Sequence, residues 1–128
     1  MSVGIDLLEI ERMEQALARR PGLALRLFTE GERAYAAGRA RPGQHLAARF
    51  CAKEAVAKAL RLEAWNPRDI EIAGQGAGTR VALHGDLAAL GVEVDISLTH
   101  SKVTAGAVAL VRARAGRTQD PASDRARS

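Results

Sequence analysis

The pattern of apolar and polar positions predicts five short β-strands. Two of the segments alternate with a period of two, which gives a strand one buried and one exposed face, and the other three are shorter apolar runs. Gly106, in the last strand, has no side chain and therefore allows another element to approach closely. The predicted strands are residues 3–8, 69–73, 80–84, 92–98 and 104–112.

Four further segments have the pattern of helices. The first is charged and ends at Pro21 and Gly22, and the second opens with Thr29 and Glu32 at the spacing of a capping box. Residues 38–43 are expected to form a loop before the longest helix. The predicted helices are residues 9–20, 30–37, 44–62 and 86–90.

The longest predicted helix has a packing face and a charged face, because successive residues are about 100° apart around a helix. The charged face carries Glu54, Lys58 and Arg61 on one side, with Arg49 and Lys53 further round. The packing face is a stripe of small residues, which lets the helix axis approach a sheet or a second helix closely. The stripe consists of Ala48, Cys51, Ala52, Ala55 and Ala59.

The composition limits the class of protein. The 128 residues suffice for one domain, and with 47% hydrophobic but only 3% aromatic residues the core must be filled by alanine and aliphatic side chains. The single cysteine, Cys51, excludes an internal disulfide and fits a reducing compartment. No apolar run approaches the ~20 residues of a membrane helix, and the N-terminus lacks the pattern of a secretory signal. We therefore expect a soluble, cytoplasmic protein that does not associate with a membrane.

The charge is mildly basic, with a formal net charge of +4. This charge is compatible with an acidic partner or a phosphate-rich ligand. The scarcity of aromatic residues for base stacking and the lack of a recognisable reading motif argue against a nucleic-acid-binding protein. We assign residues 1–112 to the domain and expect the basic segment 113–128 to be disordered.

Two carboxylates in separate elements are the candidate metal ligands. Asp6 lies near the end of the first strand, and Glu54 stands among cations in the longest helix. Magnesium prefers oxygen ligands, usually one or two carboxylates with phosphate and water. Each residue also has a simpler interpretation. Asp6 fits a strand end or a helix N-cap worth ~1 kcal/mol, and Glu54 fits an i,i+4 salt bridge with Lys58 worth ~0.3–0.5 kcal/mol.

Cations on the longest helix are candidates to hold phosphate groups. Arg49 offers a bidentate hydrogen-bond donor, and Lys58 offers a point charge. Lys53 either binds phosphate with them or belongs to a solvated face of the helix. Because Arg49 and Lys53 form a like-charge i,i+4 pair, an anion or a partner is expected nearby.

Hydroxyl and imidazole groups cluster where the fourth strand ends. Ser97, Thr99, His100 and Ser101 can all bond phosphate or ribose oxygens. The other two histidines, His45 and His84, have no evident partner, and Cys51 is expected to be a small buried side chain.

These motifs follow one another over residues 3–112. They are Gly4-Ile5-Asp6-Leu7-Leu8-Glu9-Ile10-Glu11-Arg12, Phe28-Thr29-Glu30-Gly31-Glu32, residues 46–60, Asp69-Ile70-Glu71-Ile72, residues 97–100 and Ala107-Val108-Ala109. In this order they resemble the holo-acyl-carrier-protein synthase family, the small phosphopantetheinyl transferases.

The resemblance implies an α/β (α+β) fold with a small antiparallel sheet packed on a long helix, and a homotrimer with active sites between subunits. It also implies transfer of 4′-phosphopantetheine from coenzyme A to a serine of an acyl carrier protein, with release of adenosine 3′,5′-bisphosphate. Asp6 and Glu54 would then be the magnesium ligands and would act in catalysis together with Lys58. The residues assigned to coenzyme A are Arg49, Lys58, Ser97, Thr99 and His100. The proton of the attacking serine passes to a water on the metal or to a carboxylate such as Glu54; the sequence leaves this open.

The acidic, helical carrier is expected to dock on exposed arginines of the first helix and just beyond it. These are Arg12, Arg19, Arg20 and Arg26. The alternative is an ordinary charged helix, since three glutamates share that stretch. The chain departs from the family at residues 61–67, which lack its glycine-rich turn, and at Gly78-Thr79-Arg80, where the family tends to have Gly-Lys-Pro and where Arg80 either replaces a lysine contact or is a surface residue. A non-catalytic homologue that binds coenzyme A or a carrier protein is the alternative function.

Overall fold

The computed structural model describes residues 1–114. Its helices and strands are, in chain order, β1 (Ser2–Glu9), α1 (Ile10–Arg19), α2 (Leu23–Leu27), α3 (Glu30–Ala37), α4 (Pro42–Ala59), β2 (Ile70–Ala73), β3 (Arg80–Leu83), β4 (Val92–His100) and β5 (Thr104–Ala113). Short 3₁₀ turns occupy Pro67–Asp69, Gly76–Gly78 and Gly85–Ala89. None of the helices in this part of the chain combines the length and the hydropathy needed to span a membrane.

The strands form two antiparallel sheets. One has three strands in the order β1-β5-β4, and the other is the β2–β3 hairpin. Helix α4 packs across one face of the larger sheet and contacts all three of its strands, while α3 and the hairpin lie against the same helix. The predicted α+β fold with a small antiparallel sheet on a long helix is confirmed.

The stripe of small residues on α4 lets the helix lie directly on the sheet. All five stripe residues are at most 5% exposed. At the crossing with β1, a Cβ atom on Gly4 would lie 2.0 Å from the carbonyl oxygen of Ala55 and 2.8 Å from the nitrogen of Ala59. The two backbones therefore touch, and only glycine fits at this position in β1. This contact brings the next side chain on the same face of β1, Asp6, to the side of α4.

Both ends of α4 differ from the prediction of residues 44–62. The helix begins at Pro42, because proline at the first position presets φ and lacks only an N–H that would have no partner there. It ends at Ala59 because Arg61 adopts a left-handed conformation with φ of 59°. The N–H groups of Arg61 and Leu62 then donate to the carbonyls of Lys58 and Ala57, which closes the helix in a Schellman motif.

Three smaller features also differ from the prediction. Helix α2 was not predicted, since its five residues are too few to show a period. The helix expected at 86–90 is the 3₁₀ turn Gly85–Ala89. Strand β5 continues to Ala113, one residue into the segment expected to be disordered, and residues 115–128 of that segment lie outside the described residues.

Candidate active site

Asp6, Glu54 and Lys58 form what we call the carboxylate site, at the crossing of β1 and α4. The Asp6 side chain is 19% exposed, and Lys58 Nζ donates to its Oδ1 at 3.0 Å and to the carbonyl oxygen of Ile5 at 3.1 Å. Lys58 thus pairs with Asp6, so the i,i+4 salt bridge to Glu54 considered from the sequence is not formed. The N-cap interpretation of Asp6 is also wrong, because Glu9 occupies the N-cap position of α1, without a capping hydrogen bond from its side chain.

The two carboxylates of this site lie close enough to repel each other. Burial and then the charge of Asp6 raise the pKa of Glu54, while Lys58 acts in the opposite direction. Burial raises the pKa of the Cys51 thiol to about 12, with Asp6 as the next cause. Cys51 therefore stays protonated and, as expected, acts as a small buried side chain.

The carboxylate site fits a divalent cation that has only two protein ligands. Magnesium characteristically takes one or two carboxylates and completes its shell with phosphate and water. Within residues 1–114 there is no group of three or more His, Cys, Asp or Glu side chains arranged to hold a metal. A cation held by Asp6 and Glu54 would therefore depend on oxygen atoms of the substrate and solvent. Its positive charge would offset the burial and the charge of Asp6 that raise the pKa of Glu54.

A second feature, which we call the cationic cavity, lies between α3, α4, β4 and the turn after β2. Its volume is about 420 Å³, and its lining includes Tyr35, His45, Arg49, Ser97 and His100. Three of the residues predicted to bind coenzyme A therefore meet here. Lys58 and Thr99 are not among the residues that line it.

Aromatic rings and guanidinium groups in mutual contact build one wall of the cationic cavity. The guanidinium groups of Arg39 and Arg49 both contact the Tyr35 ring, at 4.3 and 4.0 Å from its centroid. The His45 ring contacts Tyr35 and His100 edge to face, with centroids 5.6 and 5.7 Å apart. The expectation that His45 has no partner is wrong. Its spacing of four residues from Arg49 on one helix was the available signal, but its other partners are distant in the sequence.

Arg49 is buried and holds the end of the hairpin. It is 4% exposed, and its guanidinium donates to the carbonyl oxygens of Ile72 and, at 2.7 Å, Gly74. These bonds fix the turn that borders the cationic cavity. A phosphate contact by Arg49 stays a prediction.

Lys53 has a structural partner within the chain. It is fully buried, pairs with Glu32 at 2.7 Å and donates to the carbonyl oxygens of Pro67 and Ile70. Burial lowers the pKa of Lys53 and the Glu32 carboxylate opposes that effect. The solvated-face interpretation of Lys53 is therefore wrong. An anion was expected near Arg49 and Lys53, and the Glu32 carboxylate is such an anion at Lys53.

Thr99 and His100 point to opposite faces of β4, as neighbours in a strand do. His100 shares its face with Ile96 and Leu98 and lines the cationic cavity. Thr99 lies on the other face, where its Cγ2 is 3.7 Å from the position a Cβ would take on Gly106. Thr99 therefore lies outside the cationic cavity but lines a smaller pocket together with Leu7 and His100, and its contact with coenzyme A stays a prediction.

The carboxylate site and the cationic cavity lie on opposite flanks of α4. At about 100° per residue, Glu54 and His45 are about 180° apart around the helix axis. The small-residue stripe between these flanks is packed on the sheet. One chain therefore carries both groups of predicted site residues but does not bring them together in one cleft.

Comparison with known proteins identifies the family. Residues 2–106 match the model of the 4′-phosphopantetheinyl transferase superfamily. The chain belongs to this family. It is 49% identical over 121 residues to a holo-[acyl-carrier-protein] synthase of Moorella thermoacetica, covering 87% of this chain and 93% of that one. It is 47% identical over 104 residues to one of Salinispora arenicola, covering 78% and 84%.

Solved structures of phosphopantetheinyl transferases share the fold. The acyl carrier protein synthase of Mycobacterium tuberculosis superposes with a TM-score of 0.69 at 38% identity, covering 88% of this chain and 96% of that one. The enzyme of Chronobacterium ammoniagenes in complex with CoA gives a TM-score of 0.78 at 29% identity, covering 88% and 97%. The chain is accordingly an enzyme of phosphopantetheinyl transfer.

The arginines predicted to dock a carrier protein are all exposed. Arg12 and Arg19 lie on α1, Arg20 follows it, and Arg26 is on α2 beside Leu25, which is 55% exposed. Within residues 1–114 none of these four arginines forms an ion pair. They are thus available to an acidic surface.

A left-handed residue follows α4, at the segment where the resemblance predicts a departure from the family. The left-handed residue that would ordinarily be glycine is Arg61, and the following residues run through Trp65 to the 3₁₀ turn at Pro67. Arg80, at the start of β3, is exposed, and its Nη1 lies 3.4 Å from the position a Cβ would take on Gly74. This places Arg80 at the glycine-rich turn that borders the cationic cavity.

Proposed function

We propose that this enzyme transfers 4′-phosphopantetheine from coenzyme A to a serine hydroxyl of an apo acyl carrier protein, in a magnesium-dependent reaction that releases adenosine 3′,5′-bisphosphate. The observation that carries the proposal is the meeting of Asp6, Glu54 and Lys58 at the β1–α4 crossing of a phosphopantetheinyl transferase. The chain has all three residues that the resemblance assigns to catalysis. Their presence favours an active enzyme and argues against a homologue that only binds coenzyme A or a carrier protein.

The carboxylate site suits phosphoryl transfer, which depends on charge neutralisation and alignment. Asp6 and Glu54 would hold magnesium, which when bound supplies positive charge next to the pyrophosphate. The Lys58 side chain is 55% exposed, so its ammonium group can leave the ion pair with Asp6 and bind a phosphate oxygen instead. The serine proton would pass to solvent or to a carboxylate of this site such as Glu54.

The division of the site between two flanks of α4 supports a homo-oligomer. A coenzyme A molecule held in the cationic cavity of one chain would meet the carboxylate site of a second chain. The open face of the larger sheet also favours association, since Val3, Ile5 and Leu7 are 62, 63 and 70% exposed on neighbouring positions of one strand face. We propose the homotrimer implied by the family, with active sites between subunits.

The carrier is proposed to bind through its acidic helical surface. The exposed arginines of α1 and α2 supply the complementary charge, and Leu25 adds an apolar contact. A carrier of fatty-acid or polyketide synthesis fits this description, and both would be met in the cytoplasm.

Intact-mass spectrometry of an apo carrier protein tests the proposal. Incubation with the enzyme, coenzyme A and magnesium should add one phosphopantetheine to the carrier, and a chelator should prevent the addition. Absence of the adduct from fatty-acid and polyketide carriers alike, with the enzyme folded, would refute the proposed reaction. Formation of the adduct in full with chelator present would refute the dependence on magnesium.

A further inference from the structure

His45 occupies a central position in the wall of the cationic cavity. It lies near the start of α4, one turn before Arg49, and its ring makes edge contacts with Tyr35 on one side and His100 on the other. The ring is only partly exposed and borders the cavity itself. His45 therefore lines the same cavity as His100, although the predicted site did not include it.

The charged groups that face His45 come from every element packed against it. Arg39 and Tyr35 approach from α3 and the loop after it, Arg49 from α4 and His100 from β4. Burial is the largest cause that lowers the pKa of His45, followed by the charges of His100, Arg39 and Arg49. The imidazole is therefore mainly neutral at neutral pH while the cavity holds no anion.

A phosphate group in the cavity would reverse this balance. Its negative charge would offset the neighbouring guanidinium groups and would stabilise an imidazolium at His45. We propose that His45 is a further coenzyme A-binding residue, which takes up a proton from solvent when a phosphate group of the ligand enters the cationic cavity. The inference rests on the proposed function, because it requires coenzyme A to bind there.

The pH dependence of binding follows from the sign of this linkage. Ligand binding raises the pKa of His45 from its lowered value in the free enzyme. Affinity is therefore highest below the free-enzyme pKa, falls as pH rises between the two pKa values, and is constant above the higher one. Where a whole proton is taken up, the affinity changes by about tenfold per pH unit.

Calorimetric titration with coenzyme A in buffers of different ionisation enthalpy measures the proton uptake. The comparison at about pH 6.5, near the ordinary pKa of histidine, uses the wild type, His45→Phe and His84→Gln. Phenylalanine keeps a ring against Tyr35 and His100 but cannot take a proton. His84 pairs with Glu71 away from the cavity and serves as the matched control.

We expect His45→Phe to bind coenzyme A with less proton uptake and a shallower pH dependence, and His84→Gln to match the wild type. Titration of the ligand's own phosphates is common to all three proteins and cancels in the comparison. Equal uptake by His45→Phe and the wild type would overturn the inference and leave the proposed function intact. No binding by the wild type would overturn both.

A second measurement does not depend on the folding of a variant. The imidazole resonances of the wild-type enzyme, titrated by NMR with and without adenosine 3′,5′-bisphosphate, should show the pKa of His45 rising in the complex. An unchanged pKa of His45 in the saturated complex would overturn the inference.

Discussion

At the scale of single residues, the carboxylate site places function in conflict with stability. Glu54 is held beside Asp6 and partly out of water, so its negative charge is unfavourable in the metal-free protein. Enzymes commonly accept such a charge where a substrate or cation will later bind, and the site gains stability only when it is filled.

Glu54→Gln should separate these two effects. We expect transfer to the carrier to fall by about 100-fold or more, the scale reached when a group that stabilises developing charge is removed. The metal-free variant should melt at a higher temperature than the wild type near neutral pH, because no charge is buried at this position and the repulsion of Asp6 is gone. Activity is measured by intact mass and stability by thermal unfolding.

Glu63→Gln is the matched control, since Glu63 is an exposed glutamate just beyond α4. It should change neither quantity appreciably. A Glu54→Gln enzyme with wild-type activity would contradict the assignment of the metal ligand.

Glu71 is a second carboxylate whose ionisation affects stability. It accepts hydrogen bonds from Thr29 Oγ1 at 2.7 Å and from the His84 ring at 2.8 Å, and these two bonds lower its pKa. Its folded-state pKa is thus below the unfolded value, so its contribution is fully present above the unfolded pKa and is lost as pH falls through the folded pKa.

Glu71→Gln should therefore lower the free energy of unfolding at neutral pH by about 1–2 kcal/mol, the scale of hydrogen bonds to a charged group. The difference from the wild type should shrink as pH falls below about 4.5, the ordinary value for a glutamate. Urea unfolding across this pH range measures the difference. A deficit that is constant at every pH would show that the Glu71 charge is not responsible.

At the scale of elements, the position of the carboxylate site depends on the contact between β1 and α4. A methyl group on Gly4 would overlap the Ala55 carbonyl oxygen at 2.0 Å, and neither backbone can yield without moving a whole element. We expect Gly4→Ala to lower the free energy of unfolding by about 1–3 kcal/mol or more, as overpacking does. Activity should also fall because Asp6 moves relative to Glu54.

Gly22→Ala provides the comparison for Gly4→Ala. No atom other than those of its chain neighbours lies within 4 Å of a Cβ on Gly22, so this variant should stay close to wild-type stability in denaturant unfolding. Equal stability of the two variants would contradict the close contact at Gly4.

The end of α4 offers a change that should stabilise the protein. Arg61 holds the left-handed conformation of the Schellman motif, which costs a residue with a side chain about 1–2 kcal/mol. Arg61→Gly removes this cost. The greater flexibility of glycine in the unfolded chain offsets part of the gain, so we expect the free energy of unfolding to rise by up to about 1 kcal/mol. Arg68→Gly, at a residue without positive φ, should lower it. Thermal unfolding measures both changes in stability. If Arg61→Gly and Arg68→Gly changed the stability in the same direction, this account of the helix end would be contradicted.

Elements and residues with local causes could be predicted from the sequence. The capping box of Thr29 and Glu32 forms as expected, and the small-residue stripe of α4 is buried, because both depend on spacing along one helix. The partners of Lys53 and His45 could not be predicted, since they lie on α3, β4 and the loop before β2. Their contacts exist only after the sheets have packed on α4.

At the scale of the whole molecule, the two halves of the proposed site belong to different faces of one helix. A cofactor bound in the cationic cavity cannot meet Asp6 and Glu54 of the same chain without passing around α4. We propose that a second chain, which presents its carboxylate site to this cavity, completes the site. The family's trimer would then be a requirement of catalysis as well as of stability.

Complementation between inactive subunits tests this central claim most directly. Glu54→Gln disables the carboxylate site and His100→Ala disables the cationic cavity, and each variant alone should give almost no holo carrier protein by intact mass. In oligomers assembled from equal amounts of both, random pairing leaves about one quarter of the sites with two intact halves. We therefore predict recovery of about one quarter of wild-type transfer. Mixed oligomers as inactive as the separate variants would contradict a site shared between subunits.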